Sequence, residues 1–564
     1  MSFPHFPSRL VHDLDGLWSF AWLGEDVDLG DLDVKSIRFT EKMPVPGCFD
    51  ACPAYAGRRG TAAYRTTVRV TPGTPGLLSF GGLGMWSRIY VDGRALGEPG
   101  LPYSQIDIAV SPADFATREI IVVSDNRFDR ERMPLLEQFF DFYAYGGIFR
   151  SVYWHELPKH AVDRVEITTT DLGAGHISAG IRFHEDFSGK VSVKVRIDGG
   201  AFATAELDVT DGTASLGLRV PNPVPWTPAN PFLHTLELRV GNDAIVERFG
   251  LRVVGTQDGK VTINGEPVKL LGYCRHEAHP QFGPALPLDQ LVQDLQLLRD
   301  LGCNFVRGSH YPQDPRFLDL CDEYGMLVFE ESMGWGQKPE HFTDRTFQRQ
   351  QVAQTQAMVR KSFNHPCVIL WGFLNEGASN TPESRTIYER LAGTLRTVDQ
   401  TRLITYASMH PFNDLNLDLV DVVSINCYPG WYAQDKEKMA PSDEIVPRLD
   451  AIRDSLADRG FGDKPFIVSE IGAGAIYGWR DPLHAHWSEE YQEQYLREVC
   501  EEVVANDAIA GLALWQFCDC RTYASCRALT RPRAFNNKGT LDEYRRPKLA
   551  YRTVRSIFRG GDTE

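Results

Sequence analysis

The chain has 564 residues, 43% of them apolar and 24% charged, a globular composition too long for one core. Its formal net charge of −16, from 59 basic and 75 acidic residues, argues against nucleic acid or an anionic membrane surface as partner. No apolar run reaches the length of a membrane span, and Met1-Ser-Phe-Pro-His-Phe-Pro-Ser-Arg-Leu10 lacks the pattern of a secretory signal.

Residues 1 to about 156 read as all-β. Alternating runs such as Ala63–Val70 and Ser87–Val91 are separated by Pro and Gly turns, and Val91-Asp-Gly93 signals a hairpin. A second β segment, 157–256, carries short alternating strands at Val165–Thr170, Val191–Ile197 and Leu233–Val240. About 100 residues of such strands predict an immunoglobulin-like sandwich. The run Pro221-Asn-Pro-Val-Pro-Trp-Thr-Pro228 is a rigid connection within it.

From about residue 257 apolar strands alternate with helical periods. Eight strands are expected, at 268–274, 303–309, 327–331, 368–374, 402–408, 422–427, 465–470 and 511–517. Pro287–Arg299 has the three-and-four apolar spacing of a helix. Eight such alternations in the segment 257–564 predict a TIM barrel. The eleven cysteines include no CxxC pair, and Cys303, Cys367, Cys427 and Cys518 lie inside apolar runs. Buried, reduced thiols of a cytoplasmic protein are expected, with no metal site.

Polar residues collect where the barrel strands end: Arg275, His276 and Glu277; Arg307, His310 and Tyr311; Glu330 and Glu331; Asn375 and Glu376; Asn426, Tyr428 and Tyr432; Glu470; Trp515 and Asp519. Glu376 and Glu470 are 94 residues apart, about three βα units, which places them on strands four and seven at the C-terminal mouth. Two facing carboxylates at a barrel mouth are glycosidase machinery.

The flanking residues carry a resemblance. Leu14–Trp18, Pro44–Gly47, Asp141–Arg150, Gly272–Glu277, Arg307–Pro312, Asn364-His-Pro366, Trp371–Glu376, Asn426–Tyr432, Trp487–Gln492 and Arg546-Pro-Lys548 together resemble glycoside hydrolase family 2, and within it the bacterial β-glucuronidases. The resemblance covers nearly the whole chain. It implies a jelly-roll domain (1–156), an immunoglobulin-like domain (157–256) and a catalytic barrel (257–564).

The same resemblance implies roles. Glu376 is the acid/base and Glu470 the nucleophile of a retaining exo-β-glucuronidase. Asn375 meets the sugar 2-hydroxyl, and Tyr428 holds Glu470. Asp141, His276, Asn426, Tyr432 and Trp515 line the sugar pocket. Asn536 and Lys538, in Arg531-Pro-Arg-Ala-Phe-Asn-Asn-Lys-Gly539, match the family's Asn-x-Lys motif and would take the uronate carboxylate. The family's nearby arginine falls close to Pro532 here, so Arg531 or Arg533 can serve, and Arg533 joins the substrate-binding candidates. A glucuronide substrate, no cofactor and a homo-oligomer (dimer or tetramer) are expected. The alternatives are a β-galacturonidase or dual uronidase, or a non-catalytic carbohydrate-binding protein. The short segment Ser332–Asp344 after strand three suggests an open mouth and bulky or oligosaccharide glucuronides.

Overall fold

The computed structural model describes residues 3–30, 32–129, 131–133, 142–432, 442–523 and 531–561. The first segment is a jelly roll of two antiparallel sheets. One has the strand order Val11–Asp13, Val152–Glu156, Gly76–Phe80, Ile106–Val110. The other runs Glu41–Val45, Gly16–Gly24, Thr61–Arg69, Thr117–Asp125, Trp86–Val91, Arg94–Gly97. Trp18, Phe20, Tyr64, Phe80, Ile89 and Trp154 fill the space between them. The expected hairpin is present: Val91 pairs with Arg94, and both turn residues, Asp92 (φ 53°) and Gly93 (φ 75°), are left-handed. That is the twist-matching two-residue turn that Asp-Gly favours.

The second segment is an immunoglobulin-like sandwich. A three-stranded sheet (Val162–Asp171, His176–Phe183, Thr213–Arg219) faces a four-stranded one (Ala203–Val209, Gly189–Ile197, His234–Val240, Asp243–Phe249). Strand residues alternate between buried and more exposed, so Val165, Ile167, Val193, Val195, Leu236 and Leu238 all point into one core.

The third segment is a parallel barrel. Its strands are β1 (Leu270–Arg275), β2 (Phe305–Gly308), β3 (Leu327–Glu331), β4 (Val368–Gly372), β5 (Leu403–Thr405, continued by Ala407–Ser408), β6 (Val423–Asn426), β7 (Phe466–Ile471) and β8 (Gly511–Leu514). β8 pairs with β1 and closes the ring. Helices cover the outer face of the ring and the strands' own side chains fill its interior, which is why β4 and β7 are buried along their whole length and read as continuous apolar runs. The helices follow the strands at Leu288–Asp300, Pro315–Tyr324, Arg345–Ser362, Ser384–Val398, Ile445–Asp458, Glu489–Ala505 and Leu549–Phe558. Between β5 and β6 the described residues hold a single 3-10 turn, Leu417–Leu419. All ten cysteines among the described residues are free thiols, and no described helix is long and apolar enough to cross a membrane.

Polar seams join the segments. Asn364 accepts from the Ile167 amide at 2.8 Å and donates to the Val165 carbonyl at 2.6 Å, so the barrel grips a sandwich strand by its backbone. Next to it His365 Nδ1 lies 2.5 Å from Asp322, whose other oxygen accepts from the Cys367 amide at 3.0 Å. The Asn-His-Pro motif is thus a structural clamp. At the mouth, Arg150 of the jelly roll donates to Glu277 at 2.9 Å, to the Pro312 carbonyl at 2.9 Å and to the Tyr103 carbonyl at 2.6 Å. This seats the first domain against the loops after β1 and β2.

Candidate active site

Arg307, at the end of β2, organises the mouth. Its guanidinium is 0% exposed and donates in three directions: to Glu331 at 2.7 Å, to Glu470 Oε1 at 2.7 Å and to Asn375 Oδ1 at 2.7 Å. Burial works against its charge, but the surrounding groups, Glu331 first, raise its pKa well above the ordinary value. Burial likewise pushes Glu331 up, yet Arg307 and His310 hold it below the usual carboxylate range. The planar fork of arginine suits such a multidentate task, which a lysine could not fill.

Glu470 is fixed from two sides. Oε1 takes the Arg307 bond and Oε2 accepts from the Tyr428 hydroxyl at 2.6 Å. Tyr428 is held neutral, its pKa raised first by burial and then by Glu470 and Glu376 together. Both acids therefore lie close enough to press on the same phenol. Glu376 Oε1 accepts from Asn426 Nδ2 at 3.1 Å, and the same Nδ2 reaches Asn375 Oδ1 at 3.0 Å. Ser469 in turn donates to Asn426 Oδ1 at 2.7 Å, setting the orientation of that amide. The two carboxylates are thus linked through one short chain: Glu376, Asn426, Asn375, Arg307, Glu470.

The turn that presents Glu376 departs from ordinary strand geometry. Leu374 (φ 45°) and Glu376 (φ 52°) are both left-handed without being glycine. Strain of this kind persists where the surroundings over-determine it. Here the segment after β3 does so: the Asn375 amide donates to the Gly334 carbonyl at 3.0 Å, and the Gly336 amide donates to the Asn375 carbonyl at 2.8 Å. The segment that the sequence presented as merely short is folded back to pin Asn375 and carries a helical turn, Pro339–Phe342.

A second group stands beside Glu470. His310 Nε2 is 3.9 Å from Glu470 Oε1, and its ring stacks on Trp515 at 5.2 Å. His276 packs edge-on to Trp515 at 5.3 Å and stacks on Phe142 at 4.9 Å. Burial, then His310, Arg307 and Arg275, drive the His276 pKa well below its ordinary value, so the ring is neutral. A third group surrounds Tyr432. Lys538 Nζ donates to its hydroxyl at 2.7 Å and Arg531 Nη2 at 3.3 Å. The Tyr432 ring lies 5.4 Å from that of Tyr428, which ties this cationic corner to the Glu470 side of the carboxylate pair.

Among the sequence candidates, Glu376, Glu470, Asn375, Asn426 and Tyr428 form one hydrogen-bonded cluster, and His276 and Trp515 adjoin it. Tyr432 and Lys538 sit together. Asn536 is 0% exposed, and both polar atoms of its side chain have no hydrogen-bond partner among the described residues. Asn375 Nδ2 is in the same condition. A buried amide in this state calls for a partner that water or a ligand can supply. Arg533 is placed elsewhere: it pairs with Glu543 at 2.9 Å and with Asn537 at 2.9 Å, its side chain 42% exposed. Arg531 is the arginine that joins Lys538, because the turn at Pro532–Ala534, with Arg533 left-handed at φ 63°, sends the two arginines apart. Asp141 lies outside the described residues. Sequence reasoning noted Arg307 only as one of several polar strand ends, and its link to both carboxylates has no signature in the linear chain.

The chain matches the family model "Glycosyl hydrolases family 2, TIM barrel domain" over residues 254–560 and "Glycosyl hydrolases family 2" over 160–252. The chain belongs to glycoside hydrolase family 2. Curated relatives include the β-glucuronidase of Paenibacillus borealis, 28% identical over 97% of both chains. The β-glucuronidase of Rattus norvegicus is 27% identical over 99% of this chain and 92% of its own. The match to the mouse β-glucuronidase, at 30% identity, spans 64% of that relative. Among solved structures, a β-galacturonidase from Eisenbergiella tayi bound to galacturonate is 33% identical, with a TM-score of 0.89 and 98% of each chain covered. The β-glucuronidase of Faecalibacterium prausnitzii is 25% identical, with a TM-score of 0.87 over 98% of each chain.

Proposed function

We propose that this protein is a retaining exo-β-glucuronidase. The observation that carries the reading is the pairing of a carboxylate cluster with a buried cationic corner. Glu470 is oriented by Arg307 and Tyr428 as a nucleophile is required to be, while Glu376, held through Asn426, is the acid/base. Lys538, 2% exposed and tied to Tyr432, supplies the charge that a C6 carboxylate needs and a neutral hexose does not. Asn536 beside it offers a buried amide for the second carboxylate oxygen. The long β-glucuronidase relatives point to the same substrate class.

In this mechanism the sugar carboxylate seats on Lys538 and Asn536, and Asn375 Nδ2 donates to the 2-hydroxyl. Glu376 protonates the leaving oxygen as Glu470 attacks the anomeric carbon. Once Glu470 is esterified its charge is gone, and Glu376 takes a proton from the water that releases the sugar. The jelly-roll, sandwich and barrel boundaries expected near 156 and 256, the homo-oligomeric state and a cytoplasmic location belong to the same proposal.

A second reading, β-galacturonidase, is favoured by one finding: the Eisenbergiella tayi enzyme, at 33% identity, exceeds the 25% of the β-glucuronidase structure quoted above. The two sugars share the carboxylate and differ at C4. The test is a panel of aryl β-glucuronide, β-galacturonide, β-galactoside and β-glucoside with wild type and Glu470→Gln. The glucuronide is expected to be hydrolysed fastest, with the β-anomer of the sugar released first by proton NMR and activity abolished in Glu470→Gln. Faster galacturonide turnover would select the second reading. Ligand binding without any turnover would select the non-catalytic one.

A further inference from the structure

Tyr311, in the loop after β2, is 1% exposed and makes two hydrogen bonds. Its hydroxyl oxygen accepts from the Glu277 amide at 3.0 Å and lies 3.2 Å from His276 Nδ1. The Glu277 amide is a donor only, so among the described residues the one proton of the phenol has a single acceptor in reach, His276 Nδ1. Were Nδ1 protonated instead, the phenol would accept twice, and both its own proton and the Nε2 lone pair would be buried without a partner, whereas the other tautomer leaves only the Nε2 proton unmatched. The ring proton of neutral His276 therefore sits on Nε2. That atom is itself buried with no hydrogen-bond partner among the described residues, on a ring packed between Phe142 and Trp515.

Tyr311 is in turn held by the jelly roll. Tyr103 stacks face to face on its ring, with centroids 3.7 Å apart and planes 10° from parallel. The carbonyl of Tyr103 accepts from Arg150, the same guanidinium that grips Glu277 and Pro312. The phenol is thus clamped between the first domain and the loops after β1 and β2.

We propose that Tyr311, backed by Tyr103, is a positioning residue that locks His276 as an Nε2–H donor aimed at a sugar hydroxyl. The contact of His276 with sugar rests on the function proposed above. The setting of its tautomer does not. A ring so held offers the substrate a donor and never an acceptor, and needs no reorganisation when the sugar arrives.

The test uses full-length protein with nitrogen-15-labelled histidine, the His276 signals being assigned by their loss in His276→Gln. Wild type is expected to show protonated Nε2 and a hydrogen-bonded, unprotonated Nδ1, unchanged between about pH 5 and 8. In Tyr311→Phe the Nδ1 signal moves to that of a nitrogen without a hydrogen bond, while KM for the uronide rises about five- to tenfold with kcat little changed. Tyr103→Leu, which keeps the phenol, gives a smaller change in the same direction. A protonated Nδ1 in wild type overturns the proposal even if Tyr311→Phe fails to fold. So does a Tyr311→Phe protein whose Nδ1 signal and KM match wild type. If wild type shows the expected tautomer but hydrolyses no β-uronide, the functional reading fails and the positioning of His276 stands.

Discussion

Replacing Lys538 by Gln tests the source of uronate selectivity. The ammonium is 2% exposed and lies 5.5 Å, 5.8 Å and 4.9 Å from the ring centroids of Tyr428, Trp431 and Tyr432. Little water remains to screen it, so the proposed bond to a sugar carboxylate would fall among the stronger charge-assisted ones, about 1.5–3 kcal/mol. Glutamine keeps an amide donor on this side of Tyr432 and removes the charge. kcat/KM for an aryl β-glucuronide is expected to fall about 10- to 150-fold. Turnover of the matching β-glucoside, however slow in wild type, should stay level or rise. Arg531→Gln should cost less, since Arg531 reaches Tyr432 at a longer 3.3 Å. The double variant should be non-additive, because both cations share that hydroxyl. Arg533→Gln, whose parent pairs with Glu543, should match wild type. An equal loss on glucuronide and glucoside in Lys538→Gln would refute the reasoning, because Lys538 would then be holding the pocket together and not reading the carboxylate.

Tyr428→Phe removes the 2.6 Å bond to Glu470 Oε2, and kcat is expected to drop about 10- to 150-fold while the thermal midpoint moves little; unchanged kcat would deny Tyr428 a part in orienting the nucleophile. Burial raises the Glu330 carboxyl from the ordinary 4.5 to about 7, against opposing pulls from Ser362 and His365. A raised carboxyl contributes stability that is whole below about pH 4.5 and lost as pH rises through 7, a loss of about 3 kcal/mol. Glu330→Gln should therefore lose less of its unfolding midpoint between about pH 5 and 8 than wild type does, and parallel curves would contradict this. Asn364→Ala leaves the Ile167 amide and Val165 carbonyl without their partners and is expected to cost about 1–3 kcal/mol of stability in urea unfolding, with kcat/KM nearly intact.

Much of this architecture was legible because it rests on periodicity. Alternating strands, the Asp-Gly turn at 92–93 and eight apolar runs interrupted by helices are local patterns, and each became the element it signalled. Glu376 and Glu470 stood out for the same reason: each closes an apolar run of the sequence, where a charge is conspicuous. The arginine choice went the other way. Arg531 and Arg533 are two residues apart and chemically equal in the sequence, and only the left-handed turn between them sends one to Tyr432 and the other to Glu543. The segment after β3 was legible as short but not as a support, since its bonds to Asn375 are backbone to backbone and leave no mark in residue type.

The linear chain by itself determined the class of fold, the two acids and the basic motif at 536–538, since strand period, chain length per βα unit and residue chemistry are properties of neighbours in sequence. Tertiary structure decided how those groups act together. Arg307 meets Glu470 from 163 residues away, Lys538 meets Tyr432 from 106, and Asn426 meets Glu376 from 50. Contacts of that range exist only once the ring of strands has closed, because it is closure that brings eight separate strand ends to one mouth.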